Sequence, residues 1–274
     1  MKRILRVAVA QTEVLENNYE RNMENAVLQI QKAAEQKADI ICFPEFFTTG
    51  LPPVPETENG RTVQALAAAA KKHGIAVIAG TVVEKRNEGL FNVCHVIDPC
   101  GVPILKYEKS HLYFEEKQFG KAGNRVCPVF TIKQVKIGVA VCWELLIPEV
   151  IRLPALQGAE VVFCPTFVEA WKGPATAEER RRFCQVRAAE NQIFVIDVCA
   201  AGSTTIYKAM GVMPLAGCST VAGPGLLSDV IRGASAEPAL LVADLDLDMI
   251  AAKRNLVPIF ASRRPELYGD LFVV

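Results

Sequence analysis

Residues 135–144 read VKIGVAVCWE, and residues 145–153 continue as LLIPEVIRL. The first run is apolar, rich in β-branched residues and stops at Cys142, as a buried strand does. The second carries Pro148 and Glu149 near its start, which suits the opening turn of a helix. Strand, sharp turn and helix in this order predict an α/β unit with a thiol at the turn. A thiol beside helix N-terminal N–H groups is expected to favour its thiolate. The other eight cysteines lack this setting. With Cys142 as a nucleophile, the chain is an enzyme of covalent catalysis.

Outward from this unit, strand-like and helical runs alternate. Upstream, strands are predicted over 129–132 and 136–141 around a Lys133-Gln134 turn. A helix over 148–157 then leads to a strand over 160–165, and a helix over 177–192 to a strand over 193–198. Nearer the N-terminus, 4–14 reads as a strand and 19–37 as an amphipathic helix capped by Asn17 or Asn18. A buried strand over 38–44 and a helix over 61–73 closed by Gly74 follow. Runs 76–84 and 91–97 read as a hairpin around Arg86-Asn87-Glu88-Gly89, with a strand over 102–107 beyond it. The tail holds strands near Thr220 and over 240–245, then a short helix over 248–254. No linker, repeat or low-complexity block interrupts the 274 residues, so 1–274 reads as a single α/β domain. Hairpins among the βα units predict mixed sheets.

Composition narrows the partners. The chain is 51% hydrophobic, with 30 basic and 30 acidic residues. Such a balance, without a Lys/Arg run interleaved with aromatics, argues against nucleic acid. No stretch approaches the roughly 20 apolar residues of a membrane span, and the N-terminal MKRILRVAVAQTEV alternates like a core strand rather than a signal peptide. The nine cysteines lie mostly in apolar runs without a C-x-x-C. They read as buried thiols of a reducing cytoplasm, and no structural zinc site is expected.

Three strand ends carry polar groups that a core would not choose: Glu45 in ADIICFPEFF, Lys109 in VPILKYEKSHLYF, and Cys142 in VAVCWE. Taken singly, each has an ordinary reading as a solvated glutamate, a surface lysine or a small core residue. Together they supply what thiol chemistry needs: a base to take the proton and a cation to hold an oxyanion. His111 is the candidate for a competing Cys-His pair.

In order and spacing these segments resemble the nitrilase superfamily of carbon–nitrogen hydrolases. FPEFFTTG, KSHLYFEEKQFGKAG and GVAVCWELLIPEVIRLPALQGAEVVFCPT carry the resemblance. RAAENQIFVI, GCS around Gly217 and Ser219, and RRPELY add to it. The resemblance implies a four-layer α-β-β-α sandwich, Glu45 as general base, Cys142 as nucleophile, and Lys109 with the Trp143 N–H as stabiliser of the tetrahedral intermediate. It also implies a second glutamate shortly after the lysine, Glu116 or its neighbour Glu115. Phe46, Trp143 and Thr166 are the expected substrate-binding residues, with Phe47 and Trp171 as further aromatic candidates. Arg152 and Arg187 either bind a substrate carboxylate or brace helices. The implied reaction is hydrolysis of a small linear amide, ω-amide or carbamoyl compound through a thioester, without metal or organic cofactor. The implied assembly is a homodimer or larger, with the RRPELYGDLFVV tail in its contacts. Trp143-Glu144 is closer to true nitrilases, whose substrate is a nitrile, while the compact loops are closer to amidases. The short GLPPVPETENGR connection predicts a reduced pocket wall. An acyltransferase, a catalytically idle scaffold and a thiol redox protein are the remaining readings.

Overall fold

The computed structural model describes residues 2–206, 211–226 and 230–269. Two sheets form its centre. The first runs β16 (Ala239–Asp246), β1 (Ile4–Gln11), β3 (Ile40–Cys42), β4 (Ala76–Ile78), β6 (Gly89–Ile97) and β5 (Val82–Arg86), with β7 (Pro103–Glu108) also paired to β6. The second runs β15 (Val230–Gly233), β14 (Thr220–Ala222), β11 (Phe194–Cys199), β10 (Val161–Thr166), β9 (Val135–Val139) and β8 (Val129–Ile132). Both are mixed: β1 pairs parallel with β3 and antiparallel with β16, and β10 pairs parallel with β9 and β11.

Burial sorts these elements into four layers. The alternation of each strand puts one set of side chains between the sheets: Val7, Val9, Ile40 and Val96 meet Ile137, Val139, Phe163 and Ile196 in one core. The opposite faces are covered by helices. Met23, Ala26 and Ile30 of α1 (Tyr19–Glu35) and Leu66 and Ala70 of α2 (Arg61–His73) pack on Ala8, Ile41 and Val77. Val150, Ile151 and Ala155 of α3 (Pro148–Leu156) and Cys184 and Ala188 of α4 (Pro174–Asn191) pack on Val162, Cys164 and Val195. This is the α-β-β-α sandwich.

Three differences from the sequence expectation position the site. The run 4–14 is not one strand: Thr12 N–H turns back to Ala10 O at 2.9 Å, and β2 (Glu13–Val14) leaves to pair with β12 (Ala201–Thr204) in a small third sheet with β13 (Met213–Pro214). The run 76–84 breaks at Gly80, where φ is +50° and an added Cβ would fall 2.0 Å from Pro44 O. A glycine there lets the backbone close on the residue before Glu45. Helix α4 opens three residues early, at Pro174, which suits a first helical position. Lys133 and Gln134 both take positive φ, as a two-residue hairpin between β8 and β9 demands.

Candidate active site

The two sheets bring their strand ends to one place. Glu45 follows β3 and Lys109 follows β7, both from the first sheet. Cys142 follows β9, from the second. Phe46 and Cys142 both sit at left-handed backbone angles, φ +52° and +51°. Side-chain-bearing residues rarely adopt them, and such strain gathers at functional sites. Glu45 and Lys109 are each only 1% exposed.

Lys109 Nζ donates to Glu45 Oε1 at 2.8 Å and also to Glu116 Oε2. Asn92, on β6, spans the same two carboxylates from the other side, its Nδ2 2.9 Å from Glu45 Oε1 and 2.7 Å from Glu116 Oε1. Glu45 Oε2 accepts from Phe167 N–H at 3.2 Å. The Cys142 thiol donates to Phe167 O at 3.5 Å, and the Glu45 carboxylate is near enough to act on it electrostatically. Two carboxylates thus share one ammonium. Burial raises the Glu45 pKa above the ordinary carboxylate value, and Lys109 offsets this in part, because Glu116 adds like charge. Burial works against the Lys109 ammonium too, but Glu45 and Glu116 together hold it charged, its pKa above that of free lysine. Burial and the Glu45 charge push the Cys142 thiol up. The sequence expectation of a thiolate at a helix N-terminus does not hold. Cys142 opens a 3₁₀ turn (Cys142–Leu146), and α3 begins only at Pro148. Cys142 is thus a buried thiol with a raised pKa, beside a carboxyl whose pKa is raised as well.

Most of the residues that fasten the turn do not face the cavity. Glu144, fully buried, accepts five hydrogen bonds: from Tyr107 Oη at 2.7 Å, Ser110 N at 3.0 Å, Ser110 Oγ at 2.8 Å, His111 N at 3.1 Å and Val141 N at 2.8 Å. One carboxylate therefore ties the Lys109 segment to the Cys142 segment. His111 Nδ1 also lies 3.3 Å from Glu144, so its ring serves this clamp and forms no pair with Cys142. Arg187 donates to Leu145 O at 2.9 Å and Leu146 O at 2.8 Å, and Arg152 stacks on Phe260. Both brace the scaffold. Arg180, buried, pairs with Asp197 at 2.8 Å and donates to Cys142 O at 3.3 Å.

A cavity of about 250 Å³ opens onto Cys142. Phe46 and Trp143 line it, together with Trp171, Glu115 and Glu116. Glu116 is the glutamate that bonds Lys109; Glu115 lies alongside in the wall. Leu51, from the short connection after Gly50, also lines the cavity. Thr166 does not. Its hydroxyl is turned behind the site, donating to Asp197 Oδ1 at 2.6 Å and accepting from Arg180 Nη2 at 2.8 Å, and the residue has no exposed surface. Three further residues escaped the sequence reading. Asn92 is a polar residue inside the mostly apolar GLFNVCHVI, a signal that was available. Arg180 is masked by the Arg180-Arg181-Arg182 run, which reads as a solvated face. Glu169 sits in the FVEAW loop, 5% exposed, and burial pushes its carboxyl to about 7.

Of the RRPELYGDLFVV tail, 263–269 is described and carries a 3₁₀ turn at Pro265–Leu267; 270–274 lies outside the described residues. Among the described residues no group of His, Cys, Asp or Glu is placed to hold a metal, and no helix is long and apolar enough to cross a membrane.

Comparison with known proteins shows the family and the fold. The carbon–nitrogen hydrolase family model matches residues 6–255. The omega-amidase NIT2 of Xenopus tropicalis is 30% identical over 263 residues, 90% of this chain and 91% of the relative. The omega-amidase NIT2 of Danio rerio is 30% identical, covering 96% of each. Among solved structures, a carbon–nitrogen hydrolase from Helicobacter pylori superposes with a TM-score of 0.87 at 20% identity, covering 99% of both chains. Saccharomyces cerevisiae Nit3, of the nitrilase superfamily, gives 0.84 at 23% identity, covering 95% of this chain and 97% of its own.

Proposed function

For a chain that belongs to the carbon–nitrogen hydrolase family, we propose hydrolysis of a small linear amide, ω-amide or carbamoyl compound through a thioester on Cys142. The observation that carries this reading is the Cys142 thiol set against Glu45, with the Lys109 ammonium bound to the same carboxylate at 2.8 Å. Glu45, its pKa raised by burial, is a competent base for the neutral thiol. As the proton passes to Glu45, Sγ bonds to the amide carbon and the carbonyl π pair moves onto oxygen. Lys109 and the Trp143 N–H meet that oxyanion; among the described residues no backbone acceptor takes this N–H. The proton on Glu45 then goes to nitrogen, the C–N bond breaks, and ammonia or an amine leaves. Water, deprotonated by Glu45, adds to the thioester carbon, and the C–S bond breaks to give the acid and the free thiol. Glu116 anchors Lys109 and so limits where the oxyanion forms. The omega-amidase relatives support an amide over a nitrile as substrate.

The reading also takes 1–274 as one catalytic unit, cytoplasmic and assembled as a homodimer or larger; all nine cysteines are free thiols, in keeping with a reducing compartment. Ammonia release from a panel of small amides, carbamoyl compounds and nitriles, beside Cys142→Ala, tests the chemistry. Turnover of an amide or carbamoyl compound that falls by at least about 10⁴-fold in the variant supports it. A mass increment on Cys142 equal to the acyl group, trapped at short times, identifies the thioester. Turnover retained in Cys142→Ala sinks the proposal.

A further inference from the structure

The cavity above Cys142 carries more negative than positive charge. Beyond Glu45 and Glu116, its wall includes Glu115, Glu169 and Glu179. The cations in the described wall are Lys109 and Arg180, and each is already held: Lys109 by Glu45 and Glu116, Arg180 by Asp197. Glu179 has Lys172 at 3.3 Å. Glu169 forms no ion pair with any described lysine or arginine. Its carboxylate takes hydrogen bonds from its own N–H and from Trp171, while Glu45 and Glu115 act on it as like charges. Much of the remaining wall is aromatic, with Tyr113 and Trp143 in contact at a ring separation of 5.3 Å and Trp171 nearby in the lining.

A substrate with a carboxylate at its far end meets like charge here and no described cation to receive it. A substrate with an ammonium at its far end finds a buried counter-ion and aromatic faces, the surroundings that bind organic cations. Resting on the amidase reading above, we propose that the substrate is an amide or carbamoyl compound whose tail carries a protonated amine, with Glu169 as the counter-ion of that amine. An ammonium beside Glu169 also draws its carboxyl, about 7 without a cation, back to the charged form.

The test uses three amides that share a three-methylene tail: 4-aminobutanamide, pentanamide and glutaric acid monoamide, ending in an ammonium, a methyl and a carboxylate. The kcat/KM for ammonia release is expected to fall in that order, by about tenfold or more from the ammonium to the carboxylate tail. The ammonium-to-methyl ratio is expected to rise between pH 6 and 8, because Glu169 ionises there while the amine stays protonated. In Glu169→Gln that ratio is expected to drop towards one. Equal or better turnover of the methyl or carboxylate tail overturns the inference and leaves the amidase reading in place. So does a wild-type ratio that is flat with pH, a readout that does not depend on how the variant folds. Ammonia release from no amide or carbamoyl compound at all overturns the amidase reading and this inference with it.

Discussion

Glu84, on β5, and Glu45, just past the end of β3 in the same sheet, are each 1% exposed, yet their carboxyls shift in opposite directions. Burial pushes both upward. Glu84 has Arg86 at 2.6 Å, Lys106 at 2.9 Å and His95 at 2.8 Å around one carboxylate, and its pKa sinks to about 2. Glu45 shares the single ammonium of Lys109 with Glu116, and its pKa rises. Strand β6 serves both clusters, Asn92 reaching one and His95 the other. The difference teaches that burial does not by itself make a carboxylate a base. The number of cations allotted to it does, and a site kept one cation short retains a group able to take a proton.

Exchanging each glutamate for glutamine is the sharpest way to break this comparison. Glu45→Gln is expected to lower kcat by about 10²–10⁴-fold, with the unfolding midpoint at pH 8 held or raised, because a buried carboxyl with a raised pKa costs stability once it is charged. Glu84→Gln is expected to do the reverse, losing about 3–5 kcal/mol of stability as its partners are left uncompensated, with kcat per folded molecule within several-fold of wild type. Denaturant melts beside initial rates decide it; a catalytic collapse in Glu84→Gln with intact stability refutes the assignment.

Acid separates the two next. Glu45 must be ionised to act, so kcat/KM is expected to fall on the acid side at a pH above the ordinary carboxylate value of 4.5. Glu84 has a folded pKa below its unfolded one. Its stabilisation is present above the unfolded value and is lost as pH falls from there through about 2, on the order of 3 kcal/mol in all. Activity should therefore fade while circular dichroism still reports a folded chain. Coincident loss of both would show that the acid limb is unfolding. The smallest expected effect is at Glu169. Its folded pKa of about 7 exceeds its unfolded value, so its contribution is fully present below the unfolded value and lost as pH rises through 7. Glu169→Gln is expected to match wild type at pH 5 and to exceed it at pH 8 by on the order of 2 kcal/mol, read from thermal or urea melts.

The sequence was a good guide wherever local pattern decides. The Val135–Val139 strand, the Arg61–His73 helix with its Gly74 cap, and the ends bearing Glu45, Lys109 and Cys142 follow from hydrophobic period and terminal residues. What escaped depends on distant pairings. Thr166 looked available at a strand end, but Arg180 and Asp197, 14 and 31 residues away in sequence, take its hydroxyl. The thiol was expected to be acidic because the turn resembled a helix start; the intervening 3₁₀ turn displaces the helix, and burial, with the Glu45 carboxylate beside the thiol, reverses the shift. Glu169 gave no signal because a lone glutamate in a loop reads as solvated.

The division of labour between the sheets has a consequence for how the molecule comes into being. Glu45 and Lys109 hang from one sheet and Cys142 from the other, and the Glu144 clamp crosses the seam between them. A chain with only one half formed holds either a base without a nucleophile or a nucleophile without a base. Catalysis is thus a late product of folding, and half-made molecules are catalytically silent. The return of Cys142-dependent turnover during refolding is then a clock for the closing of the seam.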